Sequence, residues 1–152
     1  MARTARPISR WSSWQCCAPA DGLRRGAYVL CDARDGKPDL ILIASGAEVG
    51  LIVAAAERLG AEGVAVRCVS RPSWELFDAL SQADRDTVLP PAVRARLAVE
   101  AGAAQGWHRY VGDAGGVVSV ERFGASAPGE VLLREYGFSV DSVCARAKTL
   151  LA

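Results

Sequence analysis

The strongest constraint on the fold is a strand–helix–strand unit early in the chain. Residues 39–44, DLILIA, form an almost continuous apolar run, which is typical of a strand covered on both faces. Ser45-Gly46 makes a turn, and the residues that follow at helical spacing are Val49, Ile52, Val53, Ala56 and Leu59. A second apolar run at 64–69 has Arg67 as its one charge. The unit predicts a mostly parallel sheet.

The same alternation continues to the C-terminus. The pattern predicts further strands at 27–31, 96–100 and 117–120, short helical pieces at 71–78 and 81–86, a short helix or loop at 107–110, and a last helix that begins at Ser139 or Asp141. These elements predict an α/β fold, a three-layer sandwich with a mostly parallel, five-stranded sheet and helices on both faces.

Residues 122–138, RFGASAPGEVLLREYGF, are predicted to form a strand-to-helix corner, named here the corner segment. Ser126 is expected to cap a helix that Pro128 opens, and Glu130 favours its first turn. Gly137 is expected to end the helix in a left-handed conformation. The apolar residues predicted to pack against the sheet are Val131, Leu132 and Phe138.

Residues 1–21 differ in composition from residues 22–152. They are rich in Arg, Ser and Trp, contain Asp21 as their one acid, and show no helical or strand period. We expect a disordered N-terminal extension before a single domain at 22–152. A basic, serine-rich transit peptide is the alternative, although Pro7 and Pro19 disfavour a targeting helix.

The overall charge and hydropathy exclude some partners. The net charge is +1 over 152 residues, so we expect no nucleic-acid partner. No apolar run approaches the ~20 residues that span a bilayer, so we expect no membrane partner. Of the five cysteines, Cys31, Cys68 and Cys144 fall in predicted strands or on an apolar helix face. Buried thiols and a cytoplasmic location are therefore expected.

The sequence offers few groups for catalysis or metal binding. His108 is the sole histidine and has no neighbour that makes a catalytic pair, so it is expected in a surface groove or subunit contact. Cys16 and Cys17 are adjacent, and no C-x-x-C pair exists. Trp74, in the RPSWELFD stretch, is either an interface anchor or a core residue. No catalytic, cofactor-binding or metal-binding residue is predicted.

Two arrangements at strand ends remain as candidates for binding. The SGAEVG loop at 45–50 follows a strand and opens a helix, where a phosphate can bind, but Glu48 would repel an anion and a tight turn is expected instead. Glu100 ends a predicted strand, Arg71 stands at the C-terminal end of another, and Arg122 follows a third. They form either an anion site or a buried charge network, and the high cost of an unpaired buried charge favours the network.

Six stretches of the chain resemble, in order, the C-terminal domain of transketolases, and the resemblance covers roughly residues 21–152. They are GLRRGAYVL, PDLILIASGAEV, VRCVSRPSWELFD, VLPPAVRARLAVEAG, GWHRYVG and RFGASAPGEVLLREYGF. The C-terminal domain of deoxyxylulose-phosphate synthase shares the architecture, but the SRPSWELFD and RFGASAP motifs resemble those of transketolase itself. The resemblance implies a mixed sheet of four parallel strands and one antiparallel strand.

The resemblance also implies where the chemistry lies. In intact transketolases, which transfer two-carbon ketol units between sugar phosphates, thiamine diphosphate and Mg²⁺ bind an N-terminal domain through a Gly-Asp-Gly motif, and a middle domain supplies the activating glutamate. This sequence has no Gly-Asp-Gly. The resemblance therefore implies a truncated transketolase: a structural and dimer-contact domain that binds no cofactor and is inactive alone. Its partners would be the remaining transketolase domains or a homodimer partner.

Two alternatives remain open from the sequence. The first alternative is that the chain is a subunit of a split transketolase, completed by separate cofactor-binding and middle-domain chains. The third hypothesis is a small anion-binding regulatory module at the strand ends near Ser45, Arg71 and Arg122.

Overall fold

The computed structural model describes residues 18–152. The expected disordered extension falls mostly on residues 1–17, which lie outside the described part of the chain. A 3₁₀ helix at Ala20–Arg25 leads into the sheet. The backbone N–H of Ala18 donates to the carbonyl of Leu30 at 2.7 Å, so residue 18 already contacts the first strand.

The described residues form a five-stranded sheet with helices on both faces, as the sequence predicts. The strands are β1 (Tyr28–Cys31), β2 (Leu40–Ala44), β3 (Val66–Ser70), β4 (Arg96–Val99) and β5 (Gly116–Val118). The helices are α1 (Glu48–Ala61), α2 (Trp74–Asp78), α3 (Gln82–Val88), α4 (His108–Val111), α5 (Gly129–Glu135) and α6 (Val140–Thr149). The strand order is β1-β3-β2-β4-β5. β1 is antiparallel to β3, and the other neighbours are parallel.

Strand β2 explains the continuous apolar run of the sequence. Leu40, Leu42 and Ala44 belong to the core between the sheet and helices α1 and α6. Ile41 and Ile43 belong to the opposite core, which contains residues of α2 and α4. All five are fully buried, because successive side chains of a strand point to opposite faces and both faces here are covered.

Helix α1 covers one face of the sheet with an apolar stripe at helical spacing. Its buried residues are Ile52, Ala55 and Leu59. The last helix, α6, packs beside it, and Ser139 caps its N-terminus by accepting from the N–H of Ser142 at 3.2 Å. Ser139 is thus the start that the sequence predicts for this helix.

The corner segment departs from its prediction at its start. The N-cap of α5 is Pro128, with φ −54° and ψ 136°, and no side chain caps the helix, so the prediction of Ser126 as the cap is wrong. The extended ψ of Pro128 places the first helical residue at Gly129, too far along for the Ser126 hydroxyl to cap it. Gly137 has φ +86°, as predicted. Its N–H and that of Phe138 donate to the carbonyls of Arg134 and Leu133, which is a Schellman ending.

Helix α5 contributes little to the core. Phe138 is buried, as predicted, but Val131 and Leu133 are 38% and 41% exposed, so the expected packing of Val131 against the sheet is wrong. Leu132 is half-buried. Phe138, which enters the core, lies after the left-handed Gly137, and helix α5 itself stays at the surface.

Three cysteines are buried, as the sequence predicts: Cys31, Cys68 and Cys144. Cys16 and Cys17 lie outside the described residues. Within residues 18–152, no helix has both the length and the apolar character that a bilayer crossing requires.

Candidate functional site at the carboxyl edge of the sheet

Three polar side chains meet the edge at which β2, β3 and β4 end. These strands are parallel, so Ser45, Arg71 and Glu100 follow them on the same side of the sheet. The backbone N–H of Arg71 donates to the Ala44 carbonyl at 2.9 Å. The Ser45 hydroxyl donates to Oε2 of Glu100 at 2.8 Å. Crevices at such edges are where open α/β folds bind ligands.

The turn after β2 has the structural role that its sequence predicts. Gly46 has φ +52°, a backbone conformation that favours glycine. Helix α1 begins after Ala47 without a side-chain cap, and Glu48 lies in its first turn. The Glu48 carboxylate lies 3.8 Å from the position that a Cβ on Gly46 would take. A carboxylate at this helix start disfavours a bound anion.

Arg71 is enclosed by aromatic rings and not by carboxylates. Its guanidinium carbon lies 3.4 Å from the centre of the Tyr110 ring, 4.1 Å from that of Trp74 and 4.8 Å from that of Trp107. The side chain is 0% exposed. Among residues 18–152, no group accepts a hydrogen bond from its three side-chain nitrogens. We call these four residues the Arg71 cage.

The local sequence positions the three rings. Trp74 is the first residue of α2, whose N-cap Ser73 accepts from the Leu76 N–H at 3.3 Å. Trp107 is the N-cap residue of α4, and Tyr110 lies within that helix. Trp74 makes edge-on contacts with both, at centroid distances of 5.3 and 5.4 Å. These are the arrangements that aromatic pairs prefer.

Gly106 permits the close packing of the cage. Its φ is +85°, and a Cβ at this position would lie 2.3 Å from Cζ3 of Trp74. The loop before α4 therefore passes directly against the Trp74 ring because residue 106 has no side chain.

Charged groups surround the cage without pairing with Arg71. The Tyr110 hydroxyl donates to Asp78 at 2.9 Å, and Asp78 also pairs with Arg109 at 3.1 Å. Burial lowers the pKa of Arg71 to about 10, although Tyr110, Asp78 and Glu100 act to raise it. Burial, followed by the bond to Asp78, raises the pKa of Tyr110. Arg71 is therefore a cation at neutral pH.

Arg67, four residues earlier, is a buried arginine with every donor group engaged. Its Nε and Nη2 contact the two Asp32 oxygens at 2.9 and 2.8 Å. Its Nη1 donates to the carbonyls of Thr87 and Val88. The two arginines have similar burial, so the missing acceptors of Arg71 are a property of its site and not of buried arginine in this fold.

The expected network of Arg71, Glu100 and Arg122 is wrong. Among residues 18–152, no ion pair joins these three side chains, because Glu100 bonds Ser45 and Arg71 lies in its cage. Arg122 is exposed in the corner segment, 4.6 Å from the centre of the Tyr136 ring. Sequence reasoning missed the cage. The sequence does show aromatic residues after the strand-end Arg71, at 74, 107 and 110. Their positions along the chain do not specify that the three rings converge on it.

A polar cavity of about 350 Å³ lies beside the cage and shares Tyr110 with it; Asp78, which accepts from the Tyr110 hydroxyl, is also in its lining. Arg96 and Arg109 also line it. Arg96 donates to four backbone carbonyls, those of Leu89, Pro90, Val93 and Tyr110. His108, at the start of α4, is exposed.

The described residues offer no ligand set for a magnesium ion. No group of three or more His, Cys, Asp or Glu side chains within 18–152 is placed to hold a metal ion. Hard cations need several oxygen ligands, so no step of a thiamine-dependent reaction is assigned to this part of the chain.

The fold and site together define a three-layer α/β domain with one antiparallel edge strand and an aromatic cluster at its carboxyl edge. A family model described as Transketolase-like TK C-terminal domain matches residues 26–139. The transketolase of Geobacillus stearothermophilus is 53% identical over 131 residues, which is 86% of this chain and 20% of that protein. Transketolase 1 of Escherichia coli K12 is 55% identical over 129 residues, which is 85% of this chain and 19% of that protein.

Solved structures agree with the sequence comparisons. A transketolase from Leishmania mexicana superposes with a TM-score of 0.81 at 39% identity, covering 90% of this chain and 19% of that one. A structure described as "Split gene transketolase, inactive beta4 tetramer" has a TM-score of 0.66 at 21% identity, covering 84% of this chain and 43% of that one, and shares the fold. The chain belongs to the transketolase family and matches its C-terminal domain. It spans about a fifth of the length of the curated relatives.

Proposed function

We propose that this chain is the docking domain of a transketolase. It contributes contacts to the cofactor-binding and middle domains and to a homodimer, and it carries no catalytic, cofactor-binding or metal-binding residue of its own. Ketol transfer between sugar phosphates, with thiamine diphosphate and Mg²⁺, belongs to the assembled enzyme, and the domain alone is inactive. The buried cysteines are compatible with a reducing cytoplasm.

The observation that carries the docking role is the exposed apolar surface of the corner segment. Phe123 is 99% exposed, and Val131 and Leu133 are also exposed. A large aromatic side chain fully in water, in the same segment as two further exposed apolar residues, is the kind of residue that anchors an interaction surface. The segment is held in place, since the Tyr136 hydroxyl donates to the Phe123 carbonyl at 3.0 Å.

The test is complementation. The chain is mixed with a transketolase of Geobacillus stearothermophilus from which the matching C-terminal region has been removed. We expect a stable complex by analytical ultracentrifugation, and thiamine-dependent transfer from xylulose 5-phosphate to ribose 5-phosphate only in the mixture. Turnover by the chain alone, or no association at micromolar concentrations, would overturn the proposal.

A matched pair of variants localises the contact. Phe123→Ser removes the exposed ring of the corner segment, and Leu76→Ser removes an apolar side chain of α2 that is 49% exposed. We expect Phe123→Ser to weaken association at least about tenfold, as loss of an interface anchor does, and Leu76→Ser to leave it unchanged. Equal effects of the two variants would argue against the corner segment as the contact.

A split arrangement is the second candidate. It is supported by the neighbour described as a split-gene transketolase, whose fold this chain shares. In this case a separate chain supplies the cofactor-binding and middle domains. Co-elution of that chain with this one, and activity that appears only on mixing, would support the split arrangement.

A further inference from the structure

Arg71 holds buried hydrogen-bond donors that nothing satisfies. Within residues 18–152, its Nε, Nη1 and Nη2 are the buried side-chain nitrogen or oxygen atoms that lack a hydrogen-bond partner. Buried polar groups in native proteins nearly always have partners, and an exception points to a missing ligand, ion or function. A charged donor is the most costly group to leave unsatisfied.

The aromatic rings compensate for the charge of Arg71 but not for its donors. A ring attracts the face of a guanidinium, whereas the five N–H bonds lie in its plane. Asp78 and Glu100 act on Arg71 electrostatically, but their hydrogen bonds are made to other groups: Asp78 accepts from Tyr110 and pairs with Arg109, and Glu100 accepts from Ser45. The cage therefore lacks one acceptor group in the plane of the guanidinium.

We propose that the Arg71 cage is a binding site for an oxyanion, the phosphate or carboxylate group of a small molecule. The planar fork of a guanidinium matches two oxygens of either group. The site lies at the carboxyl edge of parallel strands, beside the hydrogen-bonded Ser45 and Glu100. Arg71 is fully enclosed, so only the anionic end of a ligand enters the cage.

Trp74 is the cover of this site. Trp107 and Tyr110 are buried, whereas Trp74 is half-buried. It lies on the five-residue helix α2 and rests on the backbone of Gly106. An oxyanion reaches Arg71 when the Trp74 ring turns away from it. This breaks no strand pairing but gives up the ring's contacts with Trp107, Tyr110 and Gly106, so it is slower than the motion of an exposed side chain.

The test follows the Arg71 side chain directly in the full chain. The Nε–H signal of Arg71 is recorded by ¹H–¹⁵N NMR and assigned with Arg71→Met. Inorganic phosphate and acetate are titrated separately, with sodium chloride at matched ionic strength as the control. We expect a saturable shift of the Arg71 signal with at least one oxyanion and none with chloride. The anion that binds more tightly shows whether a phosphate or a carboxylate group is the preferred ligand.

Two variants separate this site from the neighbouring cavity. Arg71→Met should weaken oxyanion binding, measured by calorimetry, at least about tenfold, since two charge-assisted hydrogen bonds are lost. Arg109→Gln changes an exposed arginine of the cavity and should retain binding. Arg71→Lys keeps the charge without the fork and should also bind more weakly, which covers the case that Arg71→Met does not fold.

The proposal is overturned if neither oxyanion shifts the Arg71 signal, or if oxyanion binding is as strong in folded Arg71→Met as in the unchanged chain. The experiment needs no other transketolase domain. Its failure therefore leaves the docking role untouched, and failure of complementation leaves the oxyanion site untouched.

Discussion

The guanidinium of Arg71 lies against the face of Tyr110, 3.4 Å from the centre of the ring. This contact joins the end of β3 to helix α4, which covers the sheet. The tyrosine is itself fixed, because its hydroxyl donates to Asp78 of α2. The cage thus connects two short helices to one strand end through a cation that pairs with no carboxylate in the described part of the chain.

Replacement of each buried arginine by methionine should separate their roles. Arg71→Met keeps the length of the side chain and its contact with the rings while removing buried donor groups that lack acceptors, so we expect the free energy of unfolding to stay the same or rise by about 1 kcal/mol. Arg67→Met removes both bonds to Asp32 and should lower it by about 3 kcal/mol. Urea denaturation of the two variants measures the difference. A larger loss for Arg71→Met would mean that the three ring contacts outweigh the cost of burying its charge.

Gly106→Ala tests the packing of the loop against Trp74. The added methyl would meet the indole at 2.3 Å on a backbone with φ +85°, so we expect a loss of about 3 kcal/mol in unfolding free energy and a changed near-ultraviolet circular dichroism of the tryptophans. The control is Gly36→Ala. Gly36 also has a positive φ, +66°, but no atom lies within 4 Å of the added methyl, so about 1 kcal/mol is expected. Similar losses for both variants would mean that Trp74 moves aside freely.

The sequence predicts most of the fold because the fold depends on local patterns. The apolar run before Ser45 predicts a central strand, since only a strand covered on both faces needs every position apolar. The cage was not predictable in the same way. Trp74 and Trp107 are 33 positions apart in the sequence, and their convergence on Arg71 is set by how α2 and α4 pack, which no local pattern specifies.

The corner segment shows the same limit on a smaller scale. Gly137 and Phe138 follow local rules for a helix end, and both predictions are confirmed. The predicted packing of Val131 is wrong because hydrophobicity indicates that a side chain prefers burial, not which surface buries it.

Truncation of Phe138 should destabilise the domain far more than truncation of Phe123. Phe138 is 7% exposed, so Phe138→Ala should lower the free energy of unfolding by about 3 kcal/mol through the cavity it leaves. Phe123 is 99% exposed, so Phe123→Ala should change it by less than about 0.5 kcal/mol. Urea denaturation of the isolated chain provides both values. A substantial loss for Phe123→Ala would show that its ring stabilises the domain itself and would weaken its assignment as a docking residue.

Asp84 should make stability depend on pH in the acidic range. The Ser81 hydroxyl donates to Asp84 at 2.6 Å and Arg25 donates at 2.7 Å; these two bonds, the first more than the second, hold the pKa of Asp84 below its usual 3.8. The carboxyl of the unfolded chain therefore takes up its proton first as the pH falls. The contribution to stability is complete above pH 3.8 and is lost as the pH falls through the lower pKa of the folded state.

Titration of the Asp84 carboxyl by ¹³C NMR checks this order of causes. Arg25 lowers the pKa of Asp84 both by its hydrogen bond and by its charge, and high salt screens the charge but not a neutral hydroxyl. In high salt we therefore expect Ser81→Ala to raise the pKa of Asp84 more than Arg25→Gln does. Asp113 is the internal control, since its pKa is lowered by Arg94 and should respond to neither variant. If Arg25→Gln has the larger effect in high salt as well, the exposed ion pair between the 3₁₀ helix and α3, and not the cap of α3, is the main cause of the lowered pKa of Asp84.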